Sequence, residues 1–460
     1  MFLLLASLCF YAWGEPFFVF VMLVSIVVNW LFGLLVVPDA KNPTVSRAVL
    51  RRFFIFLMLV FNLSIFFVFK YLMFTLANIN YAFGVHLFVP HILLPIGISF
   101  YTFQAISYVI DVYRGDAEVQ RNPLKVGLYM ALFPALIAGP IIRYKSIAEQ
   151  IDNRTETLND FSHGCCRFIA GFTKKMLLAN TFALLADRAF SMPSGEFSIM
   201  FAWMGAVAYT LQIYYDFSGY SCMAIGLGKM FGFSLLENFN YPYISRSVSD
   251  FWRRWHISLS SWFRDYVFFP LGGSRVKTRS RLVFNLFVVW GLTGVWHGAN
   301  WTFICWGLFY FMLLTIEKLS GFDDRVKKES SAVLRWDGGA IYGFLYRFGR
   351  HVYVIWAFMT GWVLFRSETL NDALSYLQAM YGVGNIPLYN ATAVTFFNEN
   401  FYFWIAGILF ALPVIPYFQT CFGKSRIYGV LYPVTYFFLF AVTVAYMVKG
   451  TYNPFIYFNF

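Results

Sequence analysis

The chain has 460 residues, of which 59% are hydrophobic, 22% aromatic and only 13% charged, and its mean hydropathy is +0.61. That composition cannot cover a water-soluble fold of this size with polar surface, and it excludes disordered, collagenous and soluble nucleic-acid-binding chains. In a polytopic membrane chain, the net charge of +12, from 35 Lys and Arg against 23 Asp and Glu, belongs mainly to cytoplasmic loops beside anionic lipid.

The run from Met1 to Trp13 has no positive residue before it, the first lysine being Lys41. It reads as part of the membrane domain rather than as a secretory leader. Apolar stretches follow at Phe17 to Val37, Phe53 to Phe69, Leu87 to Ile110, Val126 to Ile142, Phe197 to Tyr215, Leu282 to Ile316, Phe401 to Phe418 and Ile427 to Val448, with less pure ones near Phe168 to Leu185 and Ile341 to Phe365. Backbone groups in lipid are satisfied only in helices or closed barrels, and these runs do not alternate as barrel strands must. The expectation is an all-α polytopic protein with about ten or eleven spans. Basic connections lie at Lys41 to Arg52, Arg143 to Lys175, Arg246 to Arg281 and Lys318 to Arg350. No Ser- or Pro-rich linker and no clear repeat divides the chain, so residues 1–460 read as a single membrane domain. The cysteines Cys9, Cys165, Cys166, Cys222, Cys305 and Cys421 have no CxxC spacing. They mostly lie in apolar sequence and read as reduced, buried, small hydrophobes rather than a disulfide framework.

One segment, Asp250 to Val267, differs from a spanning helix. At 100° per residue, Asp250, Arg253, Arg254, Ser258, Ser261, Arg264 and Asp265 share one face. Phe251, Trp252, Trp255, Leu259, Trp262, Phe263 and Tyr266 share the other, with His256 at its edge. A basic, Trp-rich amphipathic helix of this kind should lie along the membrane interface. Ser247 and Asp250 have capping-box spacing at its start.

Arg281 and Glu317 bracket 35 uncharged residues, with His297 near the middle in GLTGVWHGANW. As helix this run reaches about 52 Å, too long for one upright span and slightly short of two. A hairpin broken around Gly294 to Asn300 would leave His297 recessed within the membrane, where an ionisable group commonly faces a polar cavity or reaction path. A neutral imidazole there is suited to general-base work. His86, His91, His163 and His351 lie in loops or beside charge and read as structural or interfacial. Asp216 in YYDFSGY reads as a cap, an interface anchor or a cavity-lining acid. There is no GxSxG elbow and no GxxxxGK[ST] phosphate cradle. His163, Cys165 and Cys166 lack a second ligand pair, so no metal site is expected. The glycines of GLGKMFG follow an apolar helix and read as a helix-packing surface.

Several blocks together resemble the membrane-bound O-acyltransferases, and most nearly their bacterial alginate O-acetyltransferase branch. They are LPIGISFYTFQAISYVIDVYRG from Leu94, LFPALIAGPIIR from Leu132, QIYYDFSGYSCMAIGLGKMFGF from Gln212, NFNYPYISRSVSDFWRRWHISLSSWFRDYVFFPLGG from Asn238, LTGVWHGANWTFICWGLFYF from Leu292 and the ending PFIYFNF. The resemblance implies a ring of membrane helices, with interfacial amphipathic helices, around a central tunnel or funnel. It implies transfer of an acyl group from a thioester donor, acetyl-CoA or another acyl thioester, to a polysaccharide hydroxyl, directly or through an extracytoplasmic acetyltransferase partner, in the bacterial inner membrane. His297 matches the family's catalytic histidine, and His256 the second histidine, which lines or polarises the donor side. Asp216, Asn238, Trp296 and Asn300 become cavity-lining candidates. Arg253 and Arg254 become candidates for the donor phosphates, against the commoner role of contacting anionic membrane lipid. No nucleic-acid partner is implied. Competing readings are a transporter or channel for a small acyl metabolite and a noncatalytic scaffold for an extracytoplasmic enzyme.

Overall fold

The computed structural model describes residues 1–38, 45–193, 196–331 and 340–450, together with 452 and 454. The start of the first basic connection, the middle of the last one, and the ending PFIYFNF apart from Pro454 therefore lie outside the described residues. Among the described residues there is no strand. The helices in chain order are α1 (Phe2–Gly14), α2 (Phe18–Leu35), α3 (Val45–Lys70), α4 (Leu72–Phe83), α5 (Ile98–Arg114), α6 (Pro123–Ala131), α7 (Phe133–Leu136), α8 (Tyr144–Asn153), α9 (Leu158–Thr173), α10 (Asn180–Phe190) and α11 (Ile199–Met230). They continue with α12 (Val248–Arg254), α13 (Ile257–Phe263), α14 (Arg279–His297), α15 (Trp301–Leu319), α16 (Phe322–Ser331), α17 (Ala340–Arg366), α18 (Leu370–Tyr381), α19 (Ala391–Glu399), α20 (Phe401–Ala411), α21 (Val414–Phe422) and α22 (Arg426–Lys449).

By length and composition five helical segments can cross a membrane alone: Phe18–Leu35, Val45–Lys70, Leu158–Phe190, Trp301–Leu319 and Arg426–Lys449. Counting α20 with α21, which bend by 66° at their junction, makes six. Every expected stretch is helical in part, but several are shorter or broken. The stretch at Leu87 is non-helical up to Gly97, whose φ of +77° starts α5. The stretch at Val126 ends as α6 at Ala131, and Pro134 opens a separate single turn. Other helices fall short in hydropathy because they bury polar side chains. In α11 these are Thr210, Gln212, Asp216, Ser218 and Ser221, each at most 5% exposed.

The chain gathers into two compact units, the first Met1–Phe168 with Met223–Leu236 and the second Ile169–Cys222 with Glu237–Phe460. In the first, α5 packs on α2 and α3. Asn29 and Asn62 join α2 to α3 by exchanging amide hydrogen bonds of 3.1 and 2.8 Å. Where both sides of a helix meet apolar surroundings, such bonds and close backbone approach hold helices together. The GLGKMFG surface behaves this way, because a Cβ on Gly226 would lie 2.7 Å from Gly164 O in α9.

The second unit is organised around buried aromatic rings: Phe251, Trp252, Trp255, Trp290, Trp306, Tyr310, Phe358 and Trp362. Trp252 meets Trp290, Trp306 and Tyr310 edge-on at centroid separations of 4.8, 5.6 and 4.9 Å. Edge-to-face geometry sets the positive ring edge against the negative face, so the cluster gains directional as well as apolar contact.

The segment expected as one amphipathic helix is two. Helix α12 ends at Arg254, His256 takes φ +44° and ψ +56°, and α13 restarts at Ile257 before a π-helical turn at Arg264–Phe268. Its aromatic face is nonetheless the buried one, from Phe251 at 1% exposed to Tyr266 at 9%. That face packs on α14, α15 and α17 through Trp290, Tyr310 and Trp362. The capping spacing is half realised, since Ser247 Oγ accepts from Asp250 N at 2.9 Å. Of the cysteines, all six are free thiols and only Cys222 is buried, whereas Cys9 and Cys421 are exposed. Apolar helix sequence therefore did not imply interior position.

Candidate active site

The expected hairpin is present. Helices α14 and α15 have 19 residues each, and His297 is the last residue of α14, 7% exposed. Gly298 then runs extended at φ 176°, and Asn300 restarts the helix by accepting from Thr302 N at 3.1 Å. The legs approach closely through glycine: a Cβ on Gly294 would lie 2.6 Å from Phe303 O, and one on Gly307 2.6 Å from Trp290 O. His297 is held among aromatic rings, with centroids of Trp296, Trp306 and Phe365 at 4.7, 4.8 and 5.0 Å, all near edge-on. The cage fixes the imidazole plane while leaving its nitrogens to polar partners, which suits a group that must exchange a proton in a defined direction.

His256 also meets Trp296, with ring centroids 6.1 Å apart, and stands edge-on to Phe217 of α11 at 4.6 Å. It is 1% exposed. Burial pushes its pKa from 6.5 down to about 3, because the charged form loses its hydration. The imidazole is therefore neutral at physiological pH. His256 and Tyr241 are the two non-glycine residues with positive φ among the described residues, a conformation that costs energy and persists where surroundings impose it. The loop carrying Asn238 imposes it here. Ile257 N donates to Asn238 O at 3.0 Å and Asn240 N to Arg254 O at 2.9 Å, pinning the loop across the break. The Asn238 side-chain oxygen lies 3.1 Å from His256 Nδ1 and accepts from Ser258 N at 3.1 Å and Ser258 Oγ at 2.9 Å. Its amide nitrogen donates to Ser221 Oγ at 3.1 Å.

A buried carboxylate anchors this segment to the hairpin. Glu317, near the end of α15, accepts from Val248 N at 2.6 Å and Ser249 N at 2.8 Å. An anion on the free N–H groups of a helix start is favourable for both hydrogen bonding and dipole reasons. Arg253 donates to both oxygens of Asp323, at 3.2 and 2.9 Å. Arg254 donates to Asp250 at 3.2 Å and to Asn240 O at 3.3 Å. Both guanidinium groups thus brace the fold, and the Arg253 side chain remains 43% exposed.

The structure brings together His256, Asn238, Trp296 and His297 from the expected set. Asp216 is buried on α11 and pairs with Lys175 at 2.6 Å. Asn300 caps α15 and donates to Glu368 O at 2.8 Å. His351 binds Ser245 O at 3.0 Å, while His86, His91 and His163 are exposed. Sequence reasoning missed Ser221, Ser258 and Glu317. The wheel puts Ser258 on the polar face, yet just beyond the break at His256 it is only 2% exposed. For Ser221 and Glu317 no local pattern points at the partner.

Residues 116–322, which include both histidines, match the membrane-bound O-acyltransferase family. The chain is 43% identical over 394 residues to a protein of Azotobacter vinelandii described as a probable alginate O-acetylase, covering 84% of this chain and 73% of that protein. A Pseudomonas aeruginosa protein of the same description is 43% identical over 390 residues, covering 84% and 70%. A peptidoglycan O-acetyltransferase of Helicobacter pylori is 34% identical over 416 residues, covering 84% and 75%. Identity of this extent, together with multiple membrane helices and the paired histidines, leads to one conclusion: the chain belongs to the membrane-bound O-acyltransferase family and is a multi-pass membrane O-acyltransferase.

Proposed function

We propose that this acyltransferase passes an acetyl group from a cytoplasmic thioester, acetyl-CoA being the simplest donor, to hydroxyls of an exported alginate-like polysaccharide, directly or through an extracytoplasmic acetyltransferase partner. In this reading the chain is one membrane domain of the bacterial inner membrane. His297 accepts the proton of the attacking hydroxyl as its oxygen bonds to the thioester carbonyl carbon. The tetrahedral adduct then collapses, the carbon–sulfur bond breaks, and the thiolate takes up the proton. His256 lines the donor side. Arg253 and Arg254, beside it on α12, contact the donor phosphates through their exposed edges.

The observation carrying this reading is His297 at the helix break, buried in a ring cage, with a second buried histidine, His256, against the same Trp296 ring. A transporter or scaffold has no need of that pair, and family membership favours chemistry over either. Purified protein should release free thiol from an acetyl thioester when acceptor is supplied, and an Arg253→Ala/Arg254→Ala double variant should need more donor for half-maximal rate. No thiol release by wild type would overturn the reading. Unchanged donor affinity in the double variant would assign those arginines to anionic lipid.

A further inference from the structure

We infer that Asn238 is a positioning residue that locks His256 as the Nδ1–H tautomer, so that the imidazole presents a bare lone pair at Nε2 to the acyl-transfer site. The inference rests on the acyl-transfer reading for its functional meaning, but the tautomer follows from geometry alone. Ser258 N is a main-chain donor that cannot reverse its role, and it points at one atom of the Asn238 amide from 3.1 Å. That atom must be the oxygen, because a flipped amide would set two N–H groups against each other. The amide nitrogen then faces Ser221 Oγ at 3.1 Å, a position where a hydroxyl can accept. The same oxygen lies 3.1 Å from His256 Nδ1. An imidazole nitrogen facing an accepting oxygen carries its proton, and a neutral ring has no second one.

Nε2 is accordingly unprotonated. It is buried and has no hydrogen-bond partner among the described residues. Buried polar atoms are nearly always paired, so an unpaired one calls for an occupant. The chemistry of that occupant is set by the lone pair: a hydroxyl, thiol or amide N–H of the substrate or donor. A thioester carbonyl oxygen, itself an acceptor, is the wrong partner. His256 therefore holds a donor group in place and does not polarise the carbonyl, which narrows the two roles the family resemblance implied.

Among the described residues, aromatic and neutral polar groups are the ones recorded against this ring. Phe217 faces it from α11 and Trp296 from α14, with Asn238 and Ser258 at Nδ1. On the adjoining elements Asp250 pairs with Arg254 on α12, and Asp216 on α11 pairs with Lys175. Burial is the cause of the depressed pKa, without a charged neighbour.

The test uses the full chain purified in detergent with 15N-labelled histidine, the His256 signals being those absent from His256→Gln. Wild type should show a protonated-type Nδ1 and an unprotonated-type Nε2 throughout about pH 5 to 8. In Asn238→Asp a carboxylate replaces the amide oxygen without change of shape and favours the imidazolium. Nε2 should then protonate inside that range, and acetyl transfer should fall about tenfold per pH unit below the new pKa while recovering toward wild type above it. Asn238→Ala should give mixed tautomers and a reduced rate with no new acid limb. A wild-type His256 protonated at Nε2 would overturn the inference. So would an Asn238→Asp rate that is a constant fraction of wild type at every pH, the signature of a purely structural role. If wild type released no thiol from an acetyl thioester the acyl-transfer reading would fall, yet the nitrogen signals would still report the tautomer, so the two failures are separable.

Discussion

The close packing of the α14–α15 hairpin makes Gly294→Ala a sharp perturbation of the site. The added Cβ would lie 2.6 Å from Phe303 O and 3.2 Å from Gly307 Cα, both backbone atoms that no side-chain rotation can clear. Bringing 2.6 Å to the 3.4 Å edge of ordinary contact requires the legs to part by about 0.8 Å. His297 is three residues further along the same helix, so a shift of that order reaches the imidazole. Overpacking of this kind costs about 1–3 kcal/mol, offset by up to about 1 kcal/mol from replacing a helical glycine. The expected stability loss is therefore small. Misplacing a catalytic group by about 1 Å can cost on the order of 10²-fold in rate, so activity should fall about 10- to 100-fold, well beyond what unfolding explains. Gly291→Ala, one turn earlier with nothing within 4 Å of its Cβ, is the control and should keep its rate. Thermal melts of purified variants, with thiol release from an acetyl thioester, read both effects. Equal rates for the two alanine variants would refute the view that hairpin spacing sets the position of His297.

Two further outcomes follow from the same geometry. The His256 imidazole stays neutral in the fold down to about pH 3, whereas in the unfolded chain it protonates near 6.5, so between these values the unfolded state binds more protons. Stability should fall as pH drops through that window and be flat in this respect above it, by roughly 2 kcal/mol between pH 6.5 and 5 at 1.36 kcal/mol per unit. Melting of wild type against His256→Gln at several pH values checks this, and identical slopes would contradict it. The positive-inside rule predicts a cytoplasmic position for the exposed loop holding Lys277. A lone cysteine there should resist a membrane-impermeant maleimide on intact cells and react after permeabilisation, and labelling of intact cells would reverse the orientation. A partner probe at Lys328 falls outside the described side chains.

Helix positions were legible because uncharged apolar runs mark them, and the hairpin because 35 residues cannot be one span or quite two. His297 was found by that arithmetic together with its WHGAN context. The continuity of the Asp250 to Val267 segment was not legible. A helical wheel sums over faces and is nearly blind to one residue in a left-handed conformation, so it recovers the buried aromatic face but neither the break at His256 nor the burial of Ser258. The break is imposed from outside the segment by Asn238, which is 18 residues away in sequence and contacts both the backbone and the side chains around it. Lipid-facing and protein-facing aromatics are equally apolar, so the wheel does not by itself reveal that this face packs on Trp290, Tyr310 and Trp362. The Arg254 pair with Asp250 follows from i,i+4 spacing, whereas the further acceptors Asp323 for Arg253 and Asn240 O for Arg254 are set by the fold and not by spacing.

The central claim is that His297 carries chemistry and not packing. The most direct measurement replaces His297 with Ala and reads polymer acetylation in cells beside the melting temperature of the purified protein. At 7% exposure with its contacts to the edges of three rings, the side chain should leave a stability loss of a few kcal/mol at most. Removing a general base should lower transfer by about 10²- to 10⁴-fold. The account predicts a folded, membrane-inserted variant without detectable acetylation. A folded His297→Ala protein that acetylates the polymer at the wild-type level would contradict it.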